Sequence, residues 1–357
     1  MHKLLVINPG STSTKIAVFQ DEQPIFDRAL RHSPQDIAHF ERIYDQYKFR
    51  EAAVLAALAE VDVQVTDLSA IVGRGGLVRP IPGGTYLVNE AMVADLRVGY
   101  NGEHACNLGG LLAYDIGRKY GLPAYIVDPV VVDELQDVAR LSGLPLIVRK
   151  SIFHALNQKA IARRAANALG KEYETSRLVV AHLGGGISVG AHEYGRVIDV
   201  NNALDGEGPF SPDRTGGLPA FELARLCLSG DYSESQVRRL LIGKGGLVAY
   251  LGTHDARDVI QRIANGDEQA RLVYEAMAYQ IAKEIGSAAT VLRGQVDAIA
   301  LTGGLAYDQK YLVEWVREKV QYIAPVLVYP GEDELLALAQ GALRVLKGQE
   351  EALTYVP

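Results

Sequence analysis

The sequence predicts an α/β protein made of two domains that share one structural unit. At 357 residues the chain is longer than a single hydrophobic core usually supports, so two domains are expected. Strand patterns and helix patterns alternate along the chain, as they do in α/β folds. The stretch LLVINPGSTSTKIAVF, beginning at Leu4, is echoed by LVVAHLGGGISVGAHEYGRV, beginning at Leu178, which indicates an internal repeat.

The first half opens with three short strands in a meander, LLVINP, TKIAVF and PIFDRAL, with Gly10 and a Ser/Thr cluster at the first turn. Ser33 and Pro34 then form a helix-start signal, and apolar residues at helical spacing continue to Glu60. The remaining elements expected in this half are a strand at 70–73, helices from about 89 and at 105–120, and a strand at 124–127.

The second half repeats the strand-turn-strand opening and then becomes mostly helical. Its expected elements are helices at 155–169, 220–229, 234–241 and 267–292, strands at 298–301 and VLVYP, and a final helix at 333–347. Aligned without gaps, the two openings match Gly10 with Gly184 and Thr14 with Ser188. A chance likeness of two β-hairpins is the alternative, and the recurrence of glycine and hydroxyl residues in register favours duplication.

Composition excludes several classes of function. A net charge of -7 argues against nucleic-acid binding, and an anionic substrate would need local arginines. The apolar runs are too short to cross a bilayer and the N-terminal segment lacks a signal peptide, so a cytoplasmic protein without membrane contact is expected. The two cysteines, Cys106 and Cys227, indicate neither a disulfide framework nor a zinc site.

Two glycine turns are candidate phosphate cradles, because exposed backbone N–H groups beside hydroxyl side chains bind phosphate well. They are Gly10 to Thr14 with Lys15, and Gly184 to Gly186 with Ser188. The first is not a Walker A loop, since it lacks the second glycine and leads into a strand. GISVG matches a hydrolase nucleophile elbow, but the residues after Ser188 have the pattern of a strand where that elbow requires a helix.

Two arginines lie among glycines, where a guanidinium fork could bind a carboxylate or phosphate. Arg74 follows an apolar strand within GRGG, and Arg214 lies in PDRTGG after a long loop. Asp128 and His154 are polar residues beside apolar runs. The alternatives are surface arginines, a helix cap and a satisfied core histidine.

Taken in order, several blocks resemble the acetate and butyrate kinase family of carboxylate kinases. They are INPGSTSTKIAVF, VGRGG, HACNLGG, VDPVVVDEL, KSIFHALNQKAIARR, VVAHLGGGISV, DGEGPFSPDRTGGLP, ALTGGLAYD and PGEDELLALAQGALRVL. The resemblance implies the duplicated actin-like ATPase fold, which is ribonuclease H-like, with two βββαβαβα domains and a cleft between them. Domain I, the acid-substrate side with the N-terminal phosphate turn, would comprise 1–150 and 331–357. Domain II, the nucleotide-binding side, would comprise 151–330.

The resemblance also implies a role for each matching residue. The catalytic residues would be Arg74, Asp128, His154 and Arg214, and the acid substrate would contact Asn8, Arg74, His104 and Arg214. The nucleotide would contact Gly10, Ser11, Thr12, His182, Gly184, Gly185, Gly186, Asp255, Ala256, Arg257, Gly303, Gly304 and Asp308. The metal would be held by Asn8, Asp128, Glu332 and Asp333, with Asp333 favoured among the acidic residues 332–334.

The implied reaction is transfer of the ATP γ-phosphoryl group to a short-chain fatty acid, with ATP/ADP and Mg²⁺ as cofactors and a homodimer or larger homo-oligomer as the assembly. Gly185 stands where acetate kinases carry asparagine, and HACNLGG replaces their proline-containing block. The glycine is as the butyrate-type members of the family have it, and the HACNLGG block, with a chain shorter than that of acetate kinases, favours butyrate or a related short or branched-chain acid over acetate. Acetate or propionate is the alternative substrate. A sugar or polyol kinase and a nucleotide-operated switch protein are the rivals on the same fold.

Overall fold

The computed structural model describes residues 1–357 and divides into two compact units. Unit 1 consists of Met1–Val132 and Asp333–Pro357, and unit 2 of Asp133–Glu332. This division lies before the boundary expected at residue 150, because the segment 133–150 is bonded to unit 2. The Glu134 carboxylate accepts hydrogen bonds from Lys159 and from the backbone N–H of Val197.

Strands form the centre of both units. They are β1 Lys3–Pro9, β2 Ser13–Gln20, β3 Gln23–Arg31, β4 Ala70–Arg74, β5 Thr85–Leu87, β6 Ala124–Val127, β7 Arg177–Leu183, β8 Ile187–Glu193, β9 Arg196–Val200, β10 Ala298–Gly303, β11 Val326–Pro330 and β12 Leu353–Thr354. The short strands β5 and β12 were not expected from the sequence.

Helices cover the sheets. They are α1 Pro34–Ile37, α2 Tyr47–Ala59, α3 Glu90–Val98, α4 Asn107–Tyr120, α5 Asp137–Arg140, α6 Ala155–Ala168, α7 Ala220–Leu228, α8 Glu234–Leu241, α9 Gly246–Leu251, α10 Ala256–Ala264, α11 Glu268–Val291, α12 Leu312–Val320 and α13 Glu334–Leu346. None of them is both long and apolar enough to cross a membrane.

Five strands follow the same order in both sheets, which confirms the repeat predicted from the sequence; unit 1 adds β5 and β12 at one side. Unit 1 has the order β12-β5-β6-β4-β1-β2-β3, and unit 2 has the order β11-β10-β7-β8-β9. In each sheet an antiparallel meander of three strands continues through two parallel strands. Ser188 lies inside β8 and no helix follows it directly, so the nucleophile elbow is excluded.

The first turn differs between the repeats by one residue. Pro9 pairs with Thr14 in unit 1, whereas Leu183 pairs with Ile187 in unit 2. The turn of unit 2 is therefore one residue shorter than the turn of unit 1. The gap-free alignment, which matched Thr14 with Ser188, is wrong by one residue after the turn. By pairing, Ser188 is equivalent to Lys15, and a shift of one residue reverses the face on which a side chain lies.

Two helices are exchanged between the two halves of the chain. The last helix, α13, packs against β1, β4 and β6 of unit 1. α6, which lies between β6 and β7 in the sequence, packs against β7 and β10 of unit 2. The other face of the unit 2 sheet packs against α11, whose buried residues join the largest apolar cluster of that unit.

Two glycines explain part of the GRGG and HACNLGG motifs. A Cβ atom placed on Gly73 of β4 would lie 2.0 Å from the carbonyl oxygen of Gly109 on α4. A side chain at either position would force the helix away from the strand. The close contact of β4 with α4 holds the backbone of Arg74 at the end of its strand.

Candidate active site

Three predicted site residues lie at one edge of the unit 1 sheet. The neighbouring strands β1, β4 and β6 are parallel, so their carboxyl ends meet at one edge. Asn8 is near the end of β1, Arg74 ends β4, and Asp128 directly follows β6. Polar groups at such an edge are the usual ligands of a substrate in an α/β fold.

Glu334, in the first turn of α13, binds two of these residues. The Asn8 side-chain amide donates to Glu334 Oε2 at 2.7 Å, and Arg74 Nη1 forms an ion pair with Glu334 Oε1. The Arg74 side chain is 16% exposed, and its buried Nε has no partner. Asp333, which the sequence favoured, instead caps α13 by accepting a hydrogen bond from the Leu336 N–H at 3.1 Å.

Asp128 has a backbone conformation that is unusual for a residue with a side chain. Its φ of 38° lies in the left-handed region, and the residue is 2% exposed. Its carboxylate accepts a hydrogen bond from the Gly84 N–H at 2.7 Å, and its own N–H donates to the Gly84 carbonyl at 3.0 Å. The first contact orients the carboxylate, and the second holds the backbone of Asp128 at the sheet edge.

His104 and Cys106 lie together in the HACNLGG segment. His104 Nδ1 accepts a hydrogen bond from the Cys106 backbone N–H at 3.3 Å and lies 3.1 Å from its sulfur. Burial, together with the nearby charge of Arg74, lowers the pKa of His104, so its imidazole is neutral at pH 7. Burial also raises the pKa of the Cys106 thiol to about 11.

The turn after β1 is held from behind by Arg50, a fully buried residue of α2. Arg50 Nη1 donates to the carbonyl oxygens of Gly10 and Ser13 at 2.8 and 3.0 Å, and Nη2 donates to that of Ser11 at 3.0 Å. No carboxylate pairs with Arg50, and burial lowers its pKa to about 10. With its carbonyl groups directed at Arg50, the turn is suited to present N–H groups to an anion.

In unit 2, two histidines stack on each other. The rings of His154 and His182 are 3.7 Å apart between centroids and 10° from parallel. His182 Nδ1 lies 2.9 Å from Asn157 Oδ1, and its Nε2 lies 3.4 Å from Glu332 Oε1. Glu332 therefore lies beside a histidine in unit 2, whereas Asp333 caps a helix in unit 1.

Ser188 contacts His154 and not the glycine turn that precedes it. It is fully buried, and its Oγ lies 2.9 Å from His154 Nδ1. A buried serine within a strand cannot act as an exposed nucleophile. Its contact instead supports the imidazole of His154.

The glycine turn of unit 2 packs closely on its neighbours. A Cβ on Gly186 would lie 2.2 Å from Arg214 Nη1, and one on Gly184 would lie 2.7 Å from His182 Nε2. Gly185 faces open space. Arg214 donates to the Ala203 carbonyl, and its buried Nε has no hydrogen-bond partner. The turn, Arg214 and the two histidines thus form one cluster.

Gly303 joins this cluster from β10. Its φ is 91°, and a Cβ there would lie 2.4 Å from the Leu183 carbonyl oxygen, so only glycine fits at this position. Gly304 follows it and faces open space. Asp308, by contrast, accepts hydrogen bonds from the N–H groups of Tyr311 and Leu312 at the start of α12.

Asp255, Ala256 and Arg257 lie at the start of α10, and no contact links them to the glycine turn. Asp255 caps the helix and pairs with Arg257 through both carboxylate oxygens. This pairing lowers the pKa of Asp255 to about 2. The Arg257 side chain is 89% exposed, so a ligand could reach it.

The residues expected to hold a metal do not form one cluster. No group of three or more His, Cys, Asp or Glu side chains is arranged to hold a metal ion. Of the expected set, Asn8 contacts Glu334, the last of the acidic residues 332–334, and the two side chains offer amide and carboxylate oxygens. Oxygen ligands suit Mg²⁺, which usually takes one or two carboxylates and completes its shell with water and substrate phosphates.

Sequence reasoning missed Arg50, Glu334 as a partner of Arg74, and Gln158 next to Ser188. Arg50 could have been found, because it lies on the apolar stripe of its helix with Val54, Ala57 and Leu58. An arginine on a buried stripe needs acceptors and therefore marks a polar contact in the core. Nothing in the sequence pairs Gln158 with Ser188.

Comparisons with known proteins place the chain in a family. A family model described as "Acetokinase family" matches residues 125–327. The chain is 56% identical over 353 residues to butyrate kinase 2 of Clostridium acetobutylicum, with 99% of each chain covered.

Solved structures show the fold. The structure of Porphyromonas gingivalis acetate kinase matches with a TM-score of 0.80 at 19% identity, covering 97% of this chain and 100% of that one. A propionate kinase from Francisella tularensis matches with a TM-score of 0.73 at 20% identity, covering 96% and 99%. The expected actin-like ATPase fold is confirmed, and at 56% identity over nearly the whole chain the protein belongs to the acetokinase family.

Proposed function

We propose that this chain transfers the γ-phosphoryl group of ATP to the carboxylate of butyrate, or of a related short or branched-chain fatty acid. The products are the acyl phosphate and ADP, and the reaction is reversible. The observation that carries the proposal is the 56% identity, over 99% of both chains, with butyrate kinase 2 of Clostridium acetobutylicum. The two clusters of site residues, one in each unit, supply the groups that this chemistry needs.

The reaction needs no strong base. A fatty-acid carboxylate has a pKa close to that of Glu, about 4.3, and is therefore ionised at neutral pH. A carboxylate oxygen forms the new bond to the γ-phosphorus, the bond to the β–γ bridging oxygen breaks, and its electron pair remains on ADP. Catalysis then depends on positioning and on stabilising the charge of the transferred group.

Arg74, Arg214 and His154 are the proposed stabilisers of that charge. Each arginine has a buried Nε without a hydrogen-bond partner, although Arg214 Nε lies 3.7 Å from Asp213 Oδ1, so each retains a donor for an anionic ligand. A planar fork matches a carboxylate or a phosphoryl group through two hydrogen bonds. Asp128, whose carboxylate is oriented by the Gly84 N–H, is assigned to orientation and not to proton removal.

The glycine turn of unit 2 is the proposed contact for the nucleotide phosphates, together with Gly303 and Gly304. Gly185 faces open space and so offers only backbone donors. Asp255, Ala256, Arg257 and Asp308 remain proposed contacts for the rest of the nucleotide. His104 and Asn8 are proposed on the acid side, where the neutral His104 imidazole suits a short apolar chain.

Mg²⁺ would be held by Asn8 and Glu334, with Asp128 as a further oxygen ligand. Bound there, the ion would neutralise charge on the nucleotide phosphates. This proposal prefers Glu334 to Asp333, because the Glu334 carboxylate contacts Asn8, whereas Asp333 Oδ1 caps α13. Glu332, beside His182, is the other acidic candidate.

Acetate or propionate kinase activity is the second candidate, since structures of both kinds of enzyme share the fold. One methylene is worth only about 1 to 3 kcal/mol in a pocket, so the residues do not decide the chain length. A sugar kinase would need an aspartate to remove a proton, and the 56% identity to a butyrate kinase does not favour that reaction.

The test is an ADP-release assay in which hydroxylamine traps the acyl phosphate, run on acids from acetate to valerate. The highest kcat/KM is expected for butyrate or a branched analogue. Absence of hydroxamate with every acid, despite ADP release with a polyol or hexose, would contradict the proposal.

We also propose that the protein is cytoplasmic, where ATP is available, and assembles as a homodimer or larger homo-oligomer. α7 and α8 support self-association, because neither helix has a buried residue in the single chain. α7 exposes large apolar side chains, among them Phe221 and Leu228, at 72% and 85%. Light scattering that returned the mass of one chain would contradict this part of the proposal.

A further inference from the structure

His154 ends a chain of hydrogen-bonded side chains that runs through the interior of unit 2. Tyr173 Oη lies 2.9 Å from His192 Nδ1, and His192 Nε2 lies 3.0 Å from Gln158 Oε1. Gln158 Nε2 donates to Ser188 Oγ at 2.8 Å, and Ser188 Oγ lies 2.9 Å from His154 Nδ1. Gln158, Ser188 and His192 are all fully buried, so water cannot replace any of these partners.

The direction of the middle hydrogen bonds follows from one backbone group. Gln158 Nε2 lies 3.0 Å from the Ser188 carbonyl oxygen, which can only accept a hydrogen bond. The amide NH₂ of Gln158 must therefore face Ser188, and Gln158 Oε1 must accept from His192 Nε2. Burial holds the pKa of His192 well below its ordinary value, so this imidazole is neutral and its Nδ1 accepts from the Tyr173 hydroxyl.

The Ser188 hydroxyl can then donate its hydrogen bond in one direction. Its oxygen accepts from Gln158, and its single hydrogen has His154 Nδ1 as the acceptor within reach. If His154 carried a hydrogen on Nδ1, the Ser188 hydroxyl hydrogen would be buried without an acceptor, which is unfavourable. The satisfied arrangement leaves the imidazole hydrogen of His154 on Nε2.

We propose that Ser188, itself oriented by Gln158, is a positioning residue that holds His154 in the neutral tautomer with its hydrogen on Nε2. His154 then donates a hydrogen bond to the transferred phosphoryl group and does not act as a base. This role rests on the proposed phosphoryl transfer, whereas the tautomer itself depends only on the contacts of unit 2.

The tautomer is measured first, by ¹⁵N NMR of protein labelled in its histidines at pH 8, with His154 assigned from a His154→Gln variant. The expected signals are a non-protonated Nδ1 and a protonated Nε2. In Ser188→Ala, whose Gln158 keeps its bond to the residue 188 carbonyl, the fixed tautomer should give way to a mixture. A protonated Nδ1 in the unsubstituted protein would overturn the proposal without any assay of activity.

Turnover is measured next, in Ser188→Ala, in His154→Gln and in the double variant. Ser188→Ala should lower kcat about tenfold, the net effect of one hydrogen bond, with KM for both substrates little changed. Because Ser188 acts through His154, the same substitution should cost nothing further in the His154→Gln background. An undiminished loss there would show that Ser188 acts independently of His154 and would overturn the proposal.

Ser176→Ala is the matched control. Ser176 is also fully buried in unit 2, but its hydroxyl donates to the Glu172 carbonyl. Its kcat should equal that of the unsubstituted protein, and a loss as large as that of Ser188→Ala would point to a general packing effect and overturn the proposal. Failure of the unsubstituted protein to phosphorylate any acid would refute the proposed function alone, since the NMR result stands apart from it.

Discussion

Arg74 and Glu334 are 260 residues apart in the chain and form an ion pair at the carboxyl end of β4. Glu334 also accepts a hydrogen bond from Asn8, so one carboxylate joins the ends of β1 and β4 to the first turn of α13. The guanidinium of Arg74 is thereby oriented by protein contacts before any anion arrives. Groups that are already oriented lose less entropy when a ligand binds.

Lysine in place of Arg74 or Arg214 should lower kcat by a factor of about 100 to 1,000, the usual effect of removing one donor to a transition state. Lysine keeps the charge but lacks the fork that binds a carboxylate or phosphoryl group at two points. The measurement is butyrate-dependent turnover at saturating Mg-ATP, with circular dichroism to check the fold.

Arg28→Lys and Arg293→Lys are matched controls, because both arginines form exposed ion pairs away from the clusters described. Both variants should keep full turnover. Near-normal turnover in both Arg74→Lys and Arg214→Lys would mean that the active site lies elsewhere.

Glu334→Gln should raise the Mg²⁺ concentration needed for half-maximal activity by about tenfold or more, because it removes a charged oxygen ligand. Asp333→Asn is the control, since asparagine caps a helix as well as aspartate does and should preserve the contact with the Leu336 N–H. A Mg²⁺ titration that shifted for Asp333→Asn and not for Glu334→Gln would restore Asp333 as the ligand.

Arg50→Met should loosen the turn after β1, because the carbonyl groups of Gly10, Ser11 and Ser13 would lose their buried donor. A loss of about 3 kcal/mol in the free energy of local opening is expected. Hydrogen exchange of peptides covering residues 4–20 measures it, and Arg28→Met, which removes the ion pair with the exposed Glu60, is the control. Equal protection from hydrogen exchange in the two variants would show that Arg50 does not hold the turn after β1.

The two cysteines should differ strongly in reactivity. The pKa of the buried Cys106 is raised to about 11, so its thiol stays protonated at pH 8, whereas Cys227 is exposed on α7. Ellman's reagent should therefore titrate one thiol in the native protein and two after unfolding. Rapid reaction of Cys106 in the native protein would contradict the packing of the HACNLGG segment.

Elements with a local signal were predicted well. Asn89 caps α3, Gly121 ends α4 in the left-handed conformation, and the repeat located both meanders. The stretch 34–60 was expected to be one helix, but α1 ends at Ile37 and α2 begins at Tyr47. The strands β5 and β12 are too short to carry any periodicity, so only pairing with neighbouring strands defines them.

The site residues that could be predicted from the sequence are those that lie at the ends of strands. Asn8, Arg74 and Asp128 follow apolar strands, and a parallel sheet places such positions at one edge. The contacts of Arg50 and of Gln158 join residues about 30 to 40 positions apart through buried hydrogen bonds, for which a single sequence contains no periodic signal.

The exchange of α6 and α13 between the halves of the chain has a consequence for the nascent protein. Every element of unit 2, including α6, has been synthesised once residue 332 has left the ribosome. Unit 1 is the first to be synthesised but the last to be completed, because the helix that covers β1, β4 and β6 is α13, near the end of the chain. A ribosome that stalls before residue 333 would therefore release a chain whose second unit can fold while the sheet carrying Asn8 and Arg74 stays open on one face.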